Sequence, residues 1–172
     1  MFKNHFFTLS CLVVSFASTS ILHADEKKNV VVAWDIHGVL CSQPAWTGHN
    51  CRPNTQTVEL VKKLHAQGVK QVIFSNISQG SMRKLQQKFP ELFNCFDWSK
   101  SMANAEGIFT RKPHGKYIEK FLAKTGSRNA NNIVFFDDKE NNVRAACRYG
   151  MDAHVFSDAA QATQVLKQKH IL

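Results

Sequence analysis

Two hydrophobic rhythms alternate along this chain. Short, mainly apolar runs at Val30 to Trp34, Val69 to Phe74, Ile133 to Phe136 and Ala153 to Phe156 read as strands. The first and third are too apolar to alternate, as expected of strands buried on both faces of a parallel sheet. Between these runs, apolar residues recur every three or four positions, the spacing of amphipathic helices. One helix begins at Asn54 or Thr55, carries Val58, Leu60, Val61 and Leu64, and ends at Gly68. A second, Gln79 to Leu92, carries Met82, Leu85, Phe89 and Leu92, with Pro90 near its end. A third has Tyr117, Ile118, Phe121 and Leu122 on one face and closes at Gly126. A fourth, from about Asn141, packs through Val143, Ala146 and Cys147 to Gly150, and a last one starts at Ser157 or Asp158. Cys95-Phe96-Asp97 reads as a short extended piece, and the segments 41–53 and 99–105 read as loops. Strands alternating with helices predict an α/β fold, a Rossmann-like doubly wound parallel sheet, and 172 residues suit a single domain.

Three of the strands stop abruptly at polar side chains: Asp35 after the first, Ser75-Asn76 after the second, Asp137-Asp138 after the third. A parallel sheet brings such ends to one edge, where open α/β sheets place their ligands. Lys112, just before the third helix, can reach the same place. Carboxylates gathered there repel one another unless a cation intervenes, and Mg²⁺ with several waters is the economical resolution. A metal, a carboxylate, a hydroxyl and a lysine together would surround a phosphate.

The first residues alter the boundaries. Lys3 and His5 precede an apolar run from Phe6 to Val14 that continues more weakly to Ile21, the build of a secretory signal peptide. Residues 1–24 are read as that peptide, cleaved after Ala24 with Ala17 as the alternative, and 25–172 as the mature domain. The run is too short and serine-rich for a stable membrane anchor, so a periplasmic or secreted protein is expected. Loss of Lys3 lowers the net charge from +9 to +8. The basic residues are dispersed, with no arginine-rich arm or zinc-finger pattern, so nucleic acid is not an expected partner; the excess reads either as a solvated basic surface or as one that attracts anionic substrates. In an exported chain disulfides are permitted. Cys41 and Cys51, bracketing a proline- and glycine-containing loop, are the expected pair, and Cys147 is expected in the core.

Four motifs in order, Asp35-Ile36-His37-Gly38-Val39-Leu40, Phe74-Ser75-Asn76, Lys112-Pro113 and Phe136-Asp137-Asp138-Lys139-Glu140-Asn141-Asn142-Val143, resemble the haloacid dehalogenase superfamily from about Val30 to Phe156. The resemblance implies that Asp35 is a nucleophile that becomes an aspartyl phosphate. It implies that Ser75, with Asn76 beside it, and Lys112 bind the phosphorylated substrate. Mg²⁺ would be held by Asp35, the backbone carbonyl of His37 and Asp138, with Asp137 and Asn142 in support. Neither the loop after Leu40 nor the segment 77–111 is long enough for a large cap domain. The site would therefore be open to larger substrates or to a protein partner that closes it.

His37 departs from the family pattern, which places a second acid there for general acid–base work. An imidazole can do that work near neutrality. The other readings are a catalytically inactive binding protein that keeps the fold, and a metal-independent dehalogenase, against which the Asp137-Asp138 pair argues. Trp46 and His49 are candidates for the substrate mouth or for local packing. His65, His114, His154 and His170 read as surface or helix residues, and Ser99 and Ser101 as loop caps.

Overall fold

The computed structural model describes residues 30–42, 51–103 and 110–172. The expected signal peptide, Trp46 and His49 lie outside the described residues. Four parallel strands form the main sheet: β1 (Val31–Trp34), β4 (Lys70–Ile73), β5 (Ile133–Asp137) and β6 (Asp152–Val155), in the order β4-β1-β5-β6. The chain steps from β1 to β4 on one side, then returns to place β5 on the other. The order therefore reverses beside β1, the point at which doubly wound sheets open a crevice. Two short strands, β2 (Cys41–Ser42) and β3 (Arg52–Pro53), pair antiparallel just beyond it.

Alternation along β1 sends Val32 and Trp34 to one face and Val31 and Ala33 to the other. The first pair belongs to a core shared with Leu60, Val61 and Leu64 of α1 (Thr55–Ala66), Met82 and Leu85 of α2 (Gln79–Lys88), Leu92 and Phe93 of α3 (Pro90–Phe93), and Ala162 and Leu166 of α6 (Ala159–Gln168). The second pair packs with Tyr117, Ile118 and Phe121 of α4 (Gly115–Thr125) and Ala145 and Ala146 of α5 (Glu140–Arg148). Each fully buried large apolar side chain contributes roughly 1.5–3 kcal/mol, so helices on both faces are what make the all-apolar strands tenable. Gln71, polar and buried within β4, is satisfied: its amide donates to Val61 O at 2.9 Å and its carbonyl accepts from Trp34 Nε1 at 3.1 Å.

Of the two residues the sequence offers at each start, Asn54 caps α1 and Asp158 caps α6, and Gly68, Gly126 and Gly150 follow their helices with positive φ as predicted. The segment 41–53, read as a loop, carries the paired strands β2 and β3 at its two ends, and three further details differ. The predicted helix 79–92 is two helices, α2 and α3, because Pro90 cannot continue the hydrogen-bond ladder and Phe89 turns out to φ −133°, ψ 58°. Cys95-Phe96-Asp97 is a turn rather than an extended piece; Asp97 N donates to Gln71 O at 2.8 Å, so it abuts the edge of the sheet without continuing it. Cys147 is exposed, not in the core: Asn142, Val143, Ala145 and Ala146 fill the inward face of α5. No inserted cap domain occurs among the described residues.

Candidate active site

β1 delivers Asp35 to the carboxyl edge of the sheet, where its N–H donates to Phe136 O of β5 at 2.9 Å. The chain then doubles back within six residues. Cys41 N donates to Ile36 O and Gly38 N to Cys41 O, each at 2.8 Å, and the Cys41–Cys51 disulfide (Cα–Cα 5.2 Å) ties the return strand down. The predicted pairing is therefore present. Gly38 has φ +86°, and a Cβ there would lie 2.4 Å from Asp138 Oδ2. Only glycine permits both that backbone and that approach.

Beneath Asp35 lies a buried brace. Lys112, 2% exposed, donates through Nζ to Phe74 O at 2.5 Å and to Asp137 Oδ2 at 2.6 Å. The same ammonium is 3.1 Å from Asp35 Oδ1, an ion pair outside hydrogen-bond alignment, and stands over the rings of Phe74 and Phe135 at 5.1 and 4.9 Å. Asp137, fully buried, also accepts from Asn142 Nδ2 at 2.9 and 3.0 Å and from Lys139 N at 2.9 Å. Both of its oxygens thus have two contacts from protein donors, and its role is to hold Lys112 and the start of α5. A buried charge is tolerable only when paired this completely.

Asn76 plays a related part. Its amide donates to Lys112 O at 2.8 Å and its carbonyl accepts from Lys112 N at 2.7 Å. The sequence places it among the substrate-binding residues, beside Ser75; in the structure both ends of its amide hold the Lys112 backbone. Tyr117, read from the sequence as core, also reaches the site, donating from its hydroxyl to Ser75 O at 3.2 Å. No signal in the sequence links either side chain to a partner about forty positions away.

Above the brace the groups are left open. The Ser75 hydroxyl is buried with no hydrogen-bond partner among the described residues, and so are His37 Nε2 and Asp35 Oδ1. Asp35, Asp137 and Asp138 each place one carboxylate oxygen within 4.8 Å of the others. Burial raises the Asp138 pKa above the ordinary carboxylate range; Asp35 and Asp137 push it the same way, while Lys139 and Lys112 pull it back. Three carboxylates around one ammonium are short of positive charge, and their hard oxygens fit a divalent cation. Asp35 and Asp138, with the carbonyl of His37, are the groups expected to hold it, and Asp137, in the same carboxylate cluster, already has two contacts from protein donors at each oxygen. Burial lowers the His37 pKa, with Asp35 opposing and Lys139 and Lys112 reinforcing the shift. Ser101 is confirmed as a loop cap, donating to Asp97 O at 2.7 Å and accepting from Ile73 N at 2.9 Å. His154 sits in β6 against Asp152 at 2.9 Å.

The chain matches the haloacid dehalogenase-like hydrolase family over residues 26–156, a span holding all four motifs. No curated protein matches it. Among solved structures, the N-terminal part of the protein BF1531 from Bacteroides fragilis, containing a phosphatase domain and complexed with Mg, is similar at TM-score 0.65. That likeness has 16% identity and covers 90% of this chain and 44% of that one. An uncharacterized protein from Corynebacterium glutamicum ATCC 13032 Kitasato is similar at TM-score 0.57 and 19% identity, covering 81% of this chain and 93% of that one. The core domain of a candidate phosphoglycolate phosphatase from Streptococcus pneumoniae TIGR4 is similar at TM-score 0.56 and 17% identity, covering 81% and 96%. At these identities the structures speak for the fold, while the family match speaks for descent. The protein belongs to the haloacid dehalogenase-like hydrolases.

Proposed function

We propose that this hydrolase is an exported, Mg²⁺-dependent phosphomonoester hydrolase acting through an aspartyl phosphate on Asp35. The observation that carries the reading is the meeting of Asp35 with an unpartnered buried hydroxyl, Ser75 Oγ, and with Lys112, which spans Asp35 and Asp137. Ser75 and Lys112 hold the phosphoryl oxygens. An Asp35 oxygen attacks phosphorus and the ester P–O bond breaks; His37, as imidazolium, protonates the departing oxygen and is left neutral. Water then attacks phosphorus, His37 takes its proton, and cleavage of the Asp35–phosphorus bond restores the carboxylate. Asp35, Asp138 and the His37 carbonyl would hold Mg²⁺, which would supply the positive charge that lets an anionic nucleophile approach an anionic ester.

Export to the periplasm or medium is supported by the composition of residues 1–24 and by the Cys41–Cys51 bond, which suits an oxidising compartment. The substrate is a small phosphorylated molecule, and the uncapped edge leaves room for a protein partner.

The test is turnover of p-nitrophenyl phosphate and a panel of phosphorylated metabolites, with Mg²⁺ and with chelator. Turnover should require the metal. His37→Ala should slow it by roughly 10²–10⁴-fold, the worth of a general acid–base group. The Mg²⁺-induced rise in melting temperature should persist in that variant, since the ligand at position 37 is backbone. His37→Asp should be at least as active as wild type. An inactive wild type that His37→Asp switches on would instead make the protein a binding protein on an intact scaffold. Halide release without metal would make it a dehalogenase. His37→Ala turning over at the wild-type rate would remove the histidine from the mechanism.

A further inference from the structure

A cavity of about 580 Å³ adjoins the site on the side of Lys112 and α5; Asn76, Arg111, Lys112, Lys139, Glu140 and Asn142 are among the residues lining it. Its charges are not balanced. Lys112 is turned to Asp137 and Asp35 and, in the phosphatase reading, to the transferred phosphoryl group. Glu140, the one acid in the lining, faces Arg144 a turn along α5 at 3.6 Å. Arg111 and Lys139 are exposed, and neither forms an ion pair with a described residue. Both are placed by the catalytic frame: Arg111 immediately precedes Lys112, and Lys139 follows Asp138 with its N–H on Asp137 Oδ1. Two cations with no ion pair among the described residues, lining one cavity, attract anions and hold them there more strongly than scattered surface charges do.

The transferred phosphate does not need them, because Ser75, Lys112 and the metal ligands already meet it. We propose that the substrate carries a second anionic group, a carboxylate or a second phosphate on the leaving portion, which Arg111 and Lys139 bind in this cavity. This rests on the phosphatase reading above and names the substrate class within it. Arg111 presents a planar fork of donors suited to two oxygens of one anion, and Lys139 adds a point charge.

The experiment uses the full chain with Mg²⁺ and two pairs of esters that differ by one carboxylate: glycerol 3-phosphate with 3-phosphoglycerate, and phenyl phosphate with 4-carboxyphenyl phosphate. In at least one pair, kcat/KM for the carboxylated ester should exceed that of its partner about tenfold, as for a charge-assisted contact partly open to solvent. The ratio within that pair should fall to near one in an Arg111→Gln, Lys139→Gln double variant. Arg111→Glu should reverse the preference. Taking ratios cancels any common effect of long-range charge on phosphate capture, and a melting curve for each variant verifies its fold. Equal kcat/KM within both wild-type pairs, or a preference that survives in the double variant, overturns the proposal while leaving the phosphatase reading intact. If no ester turns over, that reading fails, and calorimetric titration of the same pairs with Mg²⁺ decides the subsite alone. Tighter binding of a carboxylated ester, abolished in the double variant, supports it; equal or absent binding overturns it.

Discussion

The brace of Lys112, Asp137, Asn142 and Asn76 and the mouth of Asp35, His37 and Ser75 lie within one cluster, yet they are completed to different degrees. In the brace, the carboxylate oxygens and the ammonium have protein partners, mostly at 2.5–3.0 Å. In the mouth, Ser75 Oγ and His37 Nε2 are buried without hydrogen bonds, and Asp35 Oδ1 has only the misaligned ion pair with Lys112. Leaving a buried polar group unsatisfied costs about 1–3 kcal/mol. Such groups persist side by side when a ligand completes them, whereas the brace is complete without one. The brace therefore stabilises the fold and aims Lys112, and the mouth is where the proposed binding and chemistry would take place.

The sharpest way to break that division is to compare Asp137→Ala with Asp35→Asn. Removing Asp137 leaves the Lys112 ammonium with only Phe74 O and Asp35 and unpairs the Asn142 amide and the Lys139 N–H, and should lower unfolding free energy by about 3–5 kcal/mol in urea titrations. Asp35→Asn should abolish turnover while leaving the Mg²⁺-free melting temperature at or above wild type, because one of three crowded carboxylates loses its charge. It should also shrink the stabilisation by Mg²⁺, which in wild type reaches about 2.7 kcal/mol at a hundred times the dissociation constant. Equal destabilisation by the two variants would erase the distinction between brace and mouth.

A smaller effect is expected at the disulfide, which borders the mouth and not the brace. Cys41 and Cys51 are ten residues apart, so replacing both by serine should cost about 2–3 kcal/mol. Because the Cys41 carbonyl holds Gly38 N, the loss should also weaken Mg²⁺ binding, read as a reduced thermal shift; an unchanged shift would confine the disulfide to stability.

The smallest lies away from both regions. Hydrogen bonds from the Ser99 hydroxyl and N–H hold the Asp97 carboxyl below its ordinary pKa, with Lys100 helping. A depressed folded pKa contributes stability above the unfolded value, near 3.9, and that contribution is lost as pH falls through the folded one. Asp97 is exposed, so solvent screening limits the effect to about 0.5 kcal/mol or less. Stability of Ser99→Ala should fall short of wild type by that amount at pH 6, and the two should converge near pH 2; a gap that persists there would assign the loss to the hydroxyl's packing.

Much of this was legible in the chain. The four strands, the caps at Asn54 and Asp158, and Asp35, Ser75, Lys112 and Asp138 at one sheet edge all follow from local rules: apolar period, capping chemistry and the polar ends of parallel strands. Those signals are carried by neighbours in sequence, and parallel topology then forces the strand ends together. Lost from view was whatever depends on which partner a side chain finds across the fold. Asn76 stands beside Ser75 in sequence, yet its amide turns to the backbone of Lys112. Asp137 and Asp138 are adjacent acids, and only burial against Lys112 and Asn142 decides that the first braces and the second faces the open site. Cys147 has the spacing of a core residue, but the phase of α5 against the sheet leaves it outside. Arg111 and Lys139 were two basic residues among twenty-two lysines and arginines until the folding of their loops set them on one cavity wall. Periodicity and motif order determine fold and family because they are properties of the chain itself. The roles of single polar groups are decided by three-dimensional neighbours, since hydrogen bonds and charge pairs act over a few ångströms of space, whatever the distance along the sequence.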